Sequence, residues 1–235
     1  RERLPWKGAA VIVANHLSLV DILVLYGLYR PFKWVSKASL FRIPFVGWNM
    51  ALNGYVPLTR GAADSVRRMM ARSLELLAIG APVLLFPEGT RSANGALQPF
   101  KDGAFRLAMQ AGVPVIPVAI SGTYETLPKH GAVLRNRMRS RVQVLEPIDP
   151  ARYASAAELR DAAWEAIAAE LRRLGQPVGD GPAPRARHRD AAATRLLARG
   201  ARGLPRARHA ARLRRDPHRP RQDRPLLRRG ARRGR

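Results

Sequence analysis

Val11-Ile12-Val13-Ala14-Asn15-His16-Leu17-Ser18-Leu19-Val20-Asp21 is an apolar run that breaks into polar residues and then resumes. Four consecutive apolar residues without alternation are the pattern of a strand buried on both faces. The break reads as a tight turn. The apolar residues from about Leu19 read as a helix that runs to Tyr29 and is stopped by Pro31. A buried strand feeding directly into a helix is the unit from which parallel sheets are built.

The same alternation recurs outward from this stretch. Residues 33–36 and 55–58 read as short strands, and Pro57 confines the second to a sheet edge or a strand end. Residues 64–79 place Val66, Met69, Met70, Ser73, Leu74 and Leu77 at helical spacing, with Gly80 as the stop. Residues 83–86 are a second buried strand. A helix over about 102–111 ends at Gly112, and residues 115–120 and 142–145 are further strands. Ser155-Ala156-Ala157-Glu158 is a capping-box signature that opens a helix to about Leu174. Its apolar face is Leu159, Ala162, Ala163, Ala166, Ile167 and Leu171. These elements make residues 1–178 a single α/β domain, a largely parallel central sheet flanked by helices.

The 235 residues include no cysteine, which excludes disulfides, thiolate catalysis and cysteine-ligated zinc. There is no apolar run of about 18 residues or more, the length a membrane span needs. The chain begins at Arg1, not Met, so an N-terminal piece that carries a membrane anchor is expected to precede it. The net charge of +25 is unevenly spread. Residues 179–235 hold 19 Arg against 4 Asp, with no Lys or Glu, while residues 1–178 hold 23 Lys and Arg against 13 Asp and Glu. The basic body suits anionic partners: phosphates, coenzyme A, lipid headgroups or nucleic acid. The tail lacks aromatic residues, Ile and Val, and has little from which to build a core. It reads as a disordered end, as an arginine-rich arm, or as out-of-frame translation of GC-rich DNA.

Chemistry concentrates in two segments. His16 falls in the turn between the first strand and helix, with Ser18 at the helix N-cap and Asp21 three positions on. A carboxylate there points back over the helix start toward His16, fixes its tautomer and leaves the other ring nitrogen as a base. This is two thirds of a hydrolase triad, with a substrate hydroxyl in place of a protein nucleophile. Equally, Ser18 and Asp21 are a capping box and His16 a polar turn residue. The second segment, Phe86-Pro87-Glu88-Gly89-Thr90-Arg91-Ser92, follows a buried strand. Gly89 permits close backbone approach, Thr90 and Ser92 offer hydroxyls, and Arg91 offers a planar fork for phosphate oxygens. Glu88 orients Arg91 or bonds a substrate hydroxyl, or else the whole segment is a solvated turn. Arg60, after the strand at 55–58, and Lys101 are further cationic candidates. The apolar residues of 38–50, with Pro44 and Gly47 breaking any long helix, line an acyl groove, lie at a membrane interface or pack in the core.

In this order, His16-x4-Asp21, Gly54-x-Val56-Pro57-Leu58-x-Arg60, residues 86–92 and Val113-Pro114-Val115-Ile116-Pro117-Val118 resemble the four blocks of the glycerolipid acyltransferases. The likeness runs from about Leu4 to Leu174. It implies that His16 is the general base and Asp21 its orienting partner. It also implies that Arg60, Glu88, Gly89, Thr90 and Arg91 hold a glycerol phosphate, and that Pro117 belongs to the fourth block. The implied reaction moves a fatty acyl group from acyl-CoA or acyl carrier protein to the sn-2 hydroxyl of 1-acyl-sn-glycerol 3-phosphate, giving phosphatidic acid. The same chemistry on a lyso-ornithine lipid, another lysophospholipid or glycerol 3-phosphate is the alternative. Pro57 and Thr59 depart from the family pattern, which often has an aromatic and an acid there. No metal or redox cofactor is implied, nucleic acid is not an expected partner, and the expected setting is the cytoplasmic face of a bacterial inner membrane.

Overall fold

The computed structural model describes residues 8–28, 30–129 and 139–181; nearly all of the arginine-rich tail therefore lies outside the described residues. Strand β1 (Val11–Ala14) is buried along its whole length. It lies between β4 (Val83–Leu85) and β5 (Val115–Ser121), parallel to both, with Ile12 beside Leu84 and Ile116. Strand β2 (Lys33–Lys37) joins β4 to β3 (Val56–Leu58), and β6 (Arg141–Val144) runs antiparallel to β5. The six-stranded order is β3-β2-β4-β1-β5-β6, so Pro57 does sit on an edge strand. The sheet is parallel except at β6, as the strand–helix alternation requires.

Helices cover both faces. Helices α3 (Ala63–Ala78), α4 (Gly103–Ala111) and α5 (Ala156–Arg173) bury one core with Val11, Val13, Val83, Leu85, Val115 and Ala119. The residues between them in sequence, Ile12, Leu84, Ile116 and Ile120, point to the other face, where Leu25 of α1 (Val20–Tyr26), Phe32 and Trp34 pack. Burial on both faces is why these strands read as unbroken apolar runs. Gly80 and Gly112 end their helices with positive φ, and α5 opens with the Ser155 side chain accepting from the Glu158 N–H.

Several expectations are corrected. Helix α1 is shorter than expected and ends at Gly27. On α3, Leu76 is buried and Val66 is 40% exposed, because the buried stripe runs through Ser65, Met69, Ser73, Leu76 and Leu77 and Val66 flanks it. On α5, Trp164 and Ala168 are buried while Ala162 and Ala166 are only partly so; the Trp164 indole donates to the Gln98 carbonyl at 3.1 Å, which turns that position inward. Pro117 stands in an interior strand, where a missing N–H is normally excluded. It is tolerated because the pairing of β5 with the chain after β6 slips by one residue between Val118–Val144 and Val115–Ile148, and the Pro117 carbonyl still accepts from Leu145. Within 38–50 there is no long helix, as expected: a 3-10 helix (Ala38–Arg42) is followed by a short helix α2 (Val46–Leu52), which contains Gly47. A Cβ on Gly47 would lie 2.1 Å from the Phe41 carbonyl oxygen, so the glycine is there for close packing.

Candidate active site

All four internal parallel connections leave the sheet at the same edge, the carboxyl ends of β1 to β4, where ligands of open α/β sheets bind. The turn after β1 is anchored first by Asn15. Its amide donates to the Ile120 carbonyl at 2.9 Å and accepts from the Ile120 N–H at 2.8 Å, which continues the sheet with a side chain. This places His16 at a fixed height above β1.

His16 and Asp21 do meet: the His16 Nδ1 lies 2.8 Å from Asp21 Oδ2. Asp21 is fully buried and also accepts from the Leu17 and Ser18 N–H groups at 2.7 and 2.8 Å and from the Thr123 hydroxyl at 2.5 Å. Ser18 caps differently from the expected box. Its hydroxyl accepts from the Val20 N–H at 3.2 Å and donates to the Leu127 carbonyl at 2.7 Å. The carboxyl group thus does more than cap a helix: it gathers the turn around the imidazole and ties it to the chain beyond β5. With Nδ1 held by Asp21, Nε2 is the ring nitrogen left to take a proton. The ring is stacked on Phe86 at a centroid distance of 3.9 Å and 12° between planes.

Glu88 joins this cluster. Its Oε1 accepts from the His16 N–H at 2.7 Å, and the Ser92 N–H donates back to the His16 carbonyl at 2.8 Å. The side chain is 4% exposed, and Oε2 is buried without a hydrogen-bond partner among the described residues. Burial pushes the Glu88 carboxyl up to about 8, with the N–H groups of His16 and Gln98 opposing and the nearby Asp21 adding to the rise. A carboxyl shifted in this direction is largely neutral near pH 7. The reading in which Glu88 orients Arg91 is not what the structure shows: Glu88 faces His16, and Arg91 has no ion-pair partner among the described residues.

Gly89 has φ +75°, and a Cβ there would lie 3.1 Å from the Lys101 ammonium, so Lys101 reaches across the turn. Thr90 is exposed and Arg91 half-buried. The backbone N–H groups of His16, Leu17, Ser18 and Val20 at the start of α1 are all engaged within the turn.

Arg60 stands apart from the imidazole. It is exposed after β3 and lines a cavity of about 300 Å³ with Lys37, Arg42 and Thr59. A cavity of about 400 Å³ beside Leu145, Ile148 and Tyr153 lies at the opposite, amino-terminal end of β5 and has no part in this site. The sequence reading missed Asn15, Phe86, Thr123, Lys37 and Arg42. Lys37 ends β2, and Arg42 and Thr123 follow the ends of parallel strands, as His16 and Arg60 do.

A family model described as Acyltransferase matches residues 1–121. The chain belongs to the acyltransferase family. The chain is 41% identical over 172 residues to a 1-acyl-sn-glycerol-3-phosphate acyltransferase of Chlamydomonas reinhardtii, a match that covers 73% of the chain and 51% of the relative. It is 36% identical over 181 residues to a lyso-ornithine lipid O-acyltransferase of Pseudomonas aeruginosa, covering 71% of the chain and 69% of the relative. The crystal structure of the 1-acyl-sn-glycerophosphate (LPA) acyltransferase PlsC from Thermotoga maritima superposes with a TM-score of 0.64 at 31% identity, covering 76% of this chain and 71% of that one. The acyltransferase spans about half the length of the first of these curated relatives.

Proposed function

We propose that the acyltransferase moves a fatty acyl group from an acyl thioester, acyl-CoA or acyl carrier protein, to the sn-2 hydroxyl of 1-acyl-sn-glycerol 3-phosphate, producing phosphatidic acid. The observation that carries this reading is the His16 imidazole held by buried Asp21 on one side and stacked on Phe86, with Glu88 and Gly89 bonded into the same turn. His16 Nε2 removes the hydroxyl proton as the oxygen attacks the thioester carbonyl. The tetrahedral intermediate collapses with cleavage of the C–S bond, and the imidazolium returns the proton to the departing sulfur. Asp21 steadies the imidazolium. Positioning supplies much of the acceleration, because a thioester is already activated.

Glu88, buried beneath the turn, accepts from the His16 N–H through Oε1 and so fixes the backbone that carries the imidazole. Arg91 and Lys101 flank Gly89, and Thr90 adds a hydroxyl. Arg60, lining its cavity beside Thr59, takes the acceptor phosphate. The setting that fits such substrates is the surface of a bacterial inner membrane, on its cytoplasmic face.

A second reading keeps the chemistry and changes the acceptor to a lyso-ornithine lipid. It is favoured by the Pseudomonas relative, of which the chain covers more than two thirds. A panel of lysophosphatidate, lyso-ornithine lipid and glycerol 3-phosphate, assayed by thiol release, separates the two. Lysophosphatidate is expected to turn over fastest, and Arg60→Ala is expected to raise its KM about tenfold or more at little change in kcat. Preference for the phosphate-free acceptor, unaltered by Arg60→Ala, would overturn the first reading.

A further inference from the structure

The 3-10 helix and α2 between β2 and β3 display their large apolar side chains instead of burying them. Phe45 is 77% exposed, Trp48 61%, Leu52 88%, and Ile43 and Val46 about half. Exposed apolar groups are ordinary one at a time; a cluster within ten residues is not. Two features make this cluster a built surface. Phe45 is the one non-glycine residue with positive φ among the described residues, at 63°, and its ring meets Trp48 edge-on at 5.1 Å. The turn beneath is tightly closed: the Val46 and Gly47 N–H groups donate to the Pro44 and Ile43 carbonyls at 2.7 Å, and Gly47 leaves no room for a Cβ. An aromatic residue held at positive φ in a tight γ-type turn carries local strain that the surrounding packing must hold.

The surroundings identify the occupant. Arg42 closes the 3-10 helix that leads into the cluster, and with Lys37 and Arg60 it lines the neighbouring cavity; none of the three has an acidic partner among the described residues. Apolar tips beside unpaired cations match a bilayer of anionic lipids, with the rings at the acyl boundary and the cations among the headgroups.

We infer that residues 43–52 are a bilayer-insertion surface: Phe45, Trp48 and Leu52 enter one leaflet of an anionic membrane, while Arg42 and Lys37 hold its headgroups. Trp and Phe on a short helix are suited to this depth. The inference deepens the proposed function by naming the surface through which the enzyme reaches lipid substrates, and it rests on that reading only for its purpose. It requires no substrate.

The test uses the full chain with vesicles of equal parts phosphatidylglycerol and phosphatidylcholine that carry brominated acyl chains. It is run in 0.5 M NaCl so that the arginine-rich tail is screened. Trp fluorescence is expected to be quenched. Trp48→Phe should keep binding and lose most of the quenching. The double variant Trp48→Ala/Leu52→Ser should bind at least tenfold more weakly, whereas Ile79→Ser, which removes an isolated apolar residue that is 79% exposed, should bind as wild type. Thiol release with a water-soluble short-chain lysophosphatidate should be the same for the double variant and wild type. Unquenched Trp48, or equal binding by the double variant, would overturn the inference. So would a change from dimer to monomer in sedimentation of the double variant, which would assign the surface to a second copy. Quenching without any thiol release would instead count against the proposed reaction and leave the surface standing.

Discussion

The turn after β1 and the segment after β2 occupy equivalent positions in the sheet and treat their side chains in opposite ways. Residues 14–21 turn inward: Asn15, Ser18 and Asp21 are fully buried, and each has its polar atoms bonded. Residues 38–52 turn outward and leave aromatic and aliphatic groups in the open. One segment buries its polar residues, and the other exposes its apolar ones. Composition therefore assigns neither to core or surface. What decides is whether a buried polar group finds all its partners, and whether an exposed apolar group has something outside to meet.

The largest break in this comparison comes from Asp21→Ala. Four donors lose a fully buried acceptor, and about 3–5 kcal/mol of stability should go with it. Activity should fall about 10³-fold or more. Urea unfolding and thiol release measure the two losses. The same truncation in the outward segment, Trp48→Ala, should shift stability by no more than about 0.5 kcal/mol.

Glu88 sharpens the contrast through pH. Its carboxyl titrates near 4.5 when unfolded and near 8 when folded. Between those values the folded state holds a proton that the unfolded state has lost. Stability therefore falls as pH rises from about 4.5 to about 8 and is level above, at up to about 1.4 kcal/mol per unit. Glu88→Gln should remove this slope. Urea midpoints at pH 5, 6.5 and 8 for both proteins show it, and a slope that survives in Glu88→Gln places its source elsewhere.

Smaller effects follow. Gly89→Ala forces a side chain to φ +75° against Lys101 and should cost about 1–2 kcal/mol, seen as a fall in Tm of several degrees. Thr123→Val leaves Asp21 Oδ1 without its hydroxyl donor and should lower kcat about tenfold with KM nearly unchanged; Thr123→Ser should restore it.

Much of the fold could be read from sequence because its signals are local. Unbroken apolar runs marked β1, β4 and β5, and Gly80 and Gly112 marked helix ends. The pairing of His16 with Asp21 was also legible, since only four residues lie between them. What escaped notice acts across the chain. Asn15 bonds Ile120, and Thr123 bonds Asp21, each over more than a hundred residues, and no local pattern encodes them. Arg60 was legible as a cation after a strand, but its company with Lys37 and Arg42 appears only once β2 and β3 lie parallel side by side. Glu88 read as an acid near a phosphate; that burial neutralises it depends on the packing of the turn against His16.

The central claim is that His16 takes the proton from the acceptor hydroxyl. Thiol release from oleoyl-CoA, with and without lysophosphatidate, compared between wild type and folded His16→Ala, tests it most directly. The account predicts release that requires the acceptor in wild type and falls about 10³-fold in the variant, with unfolding midpoints within about 1 kcal/mol. Acceptor-dependent release at the wild-type rate from His16→Ala would contradict it.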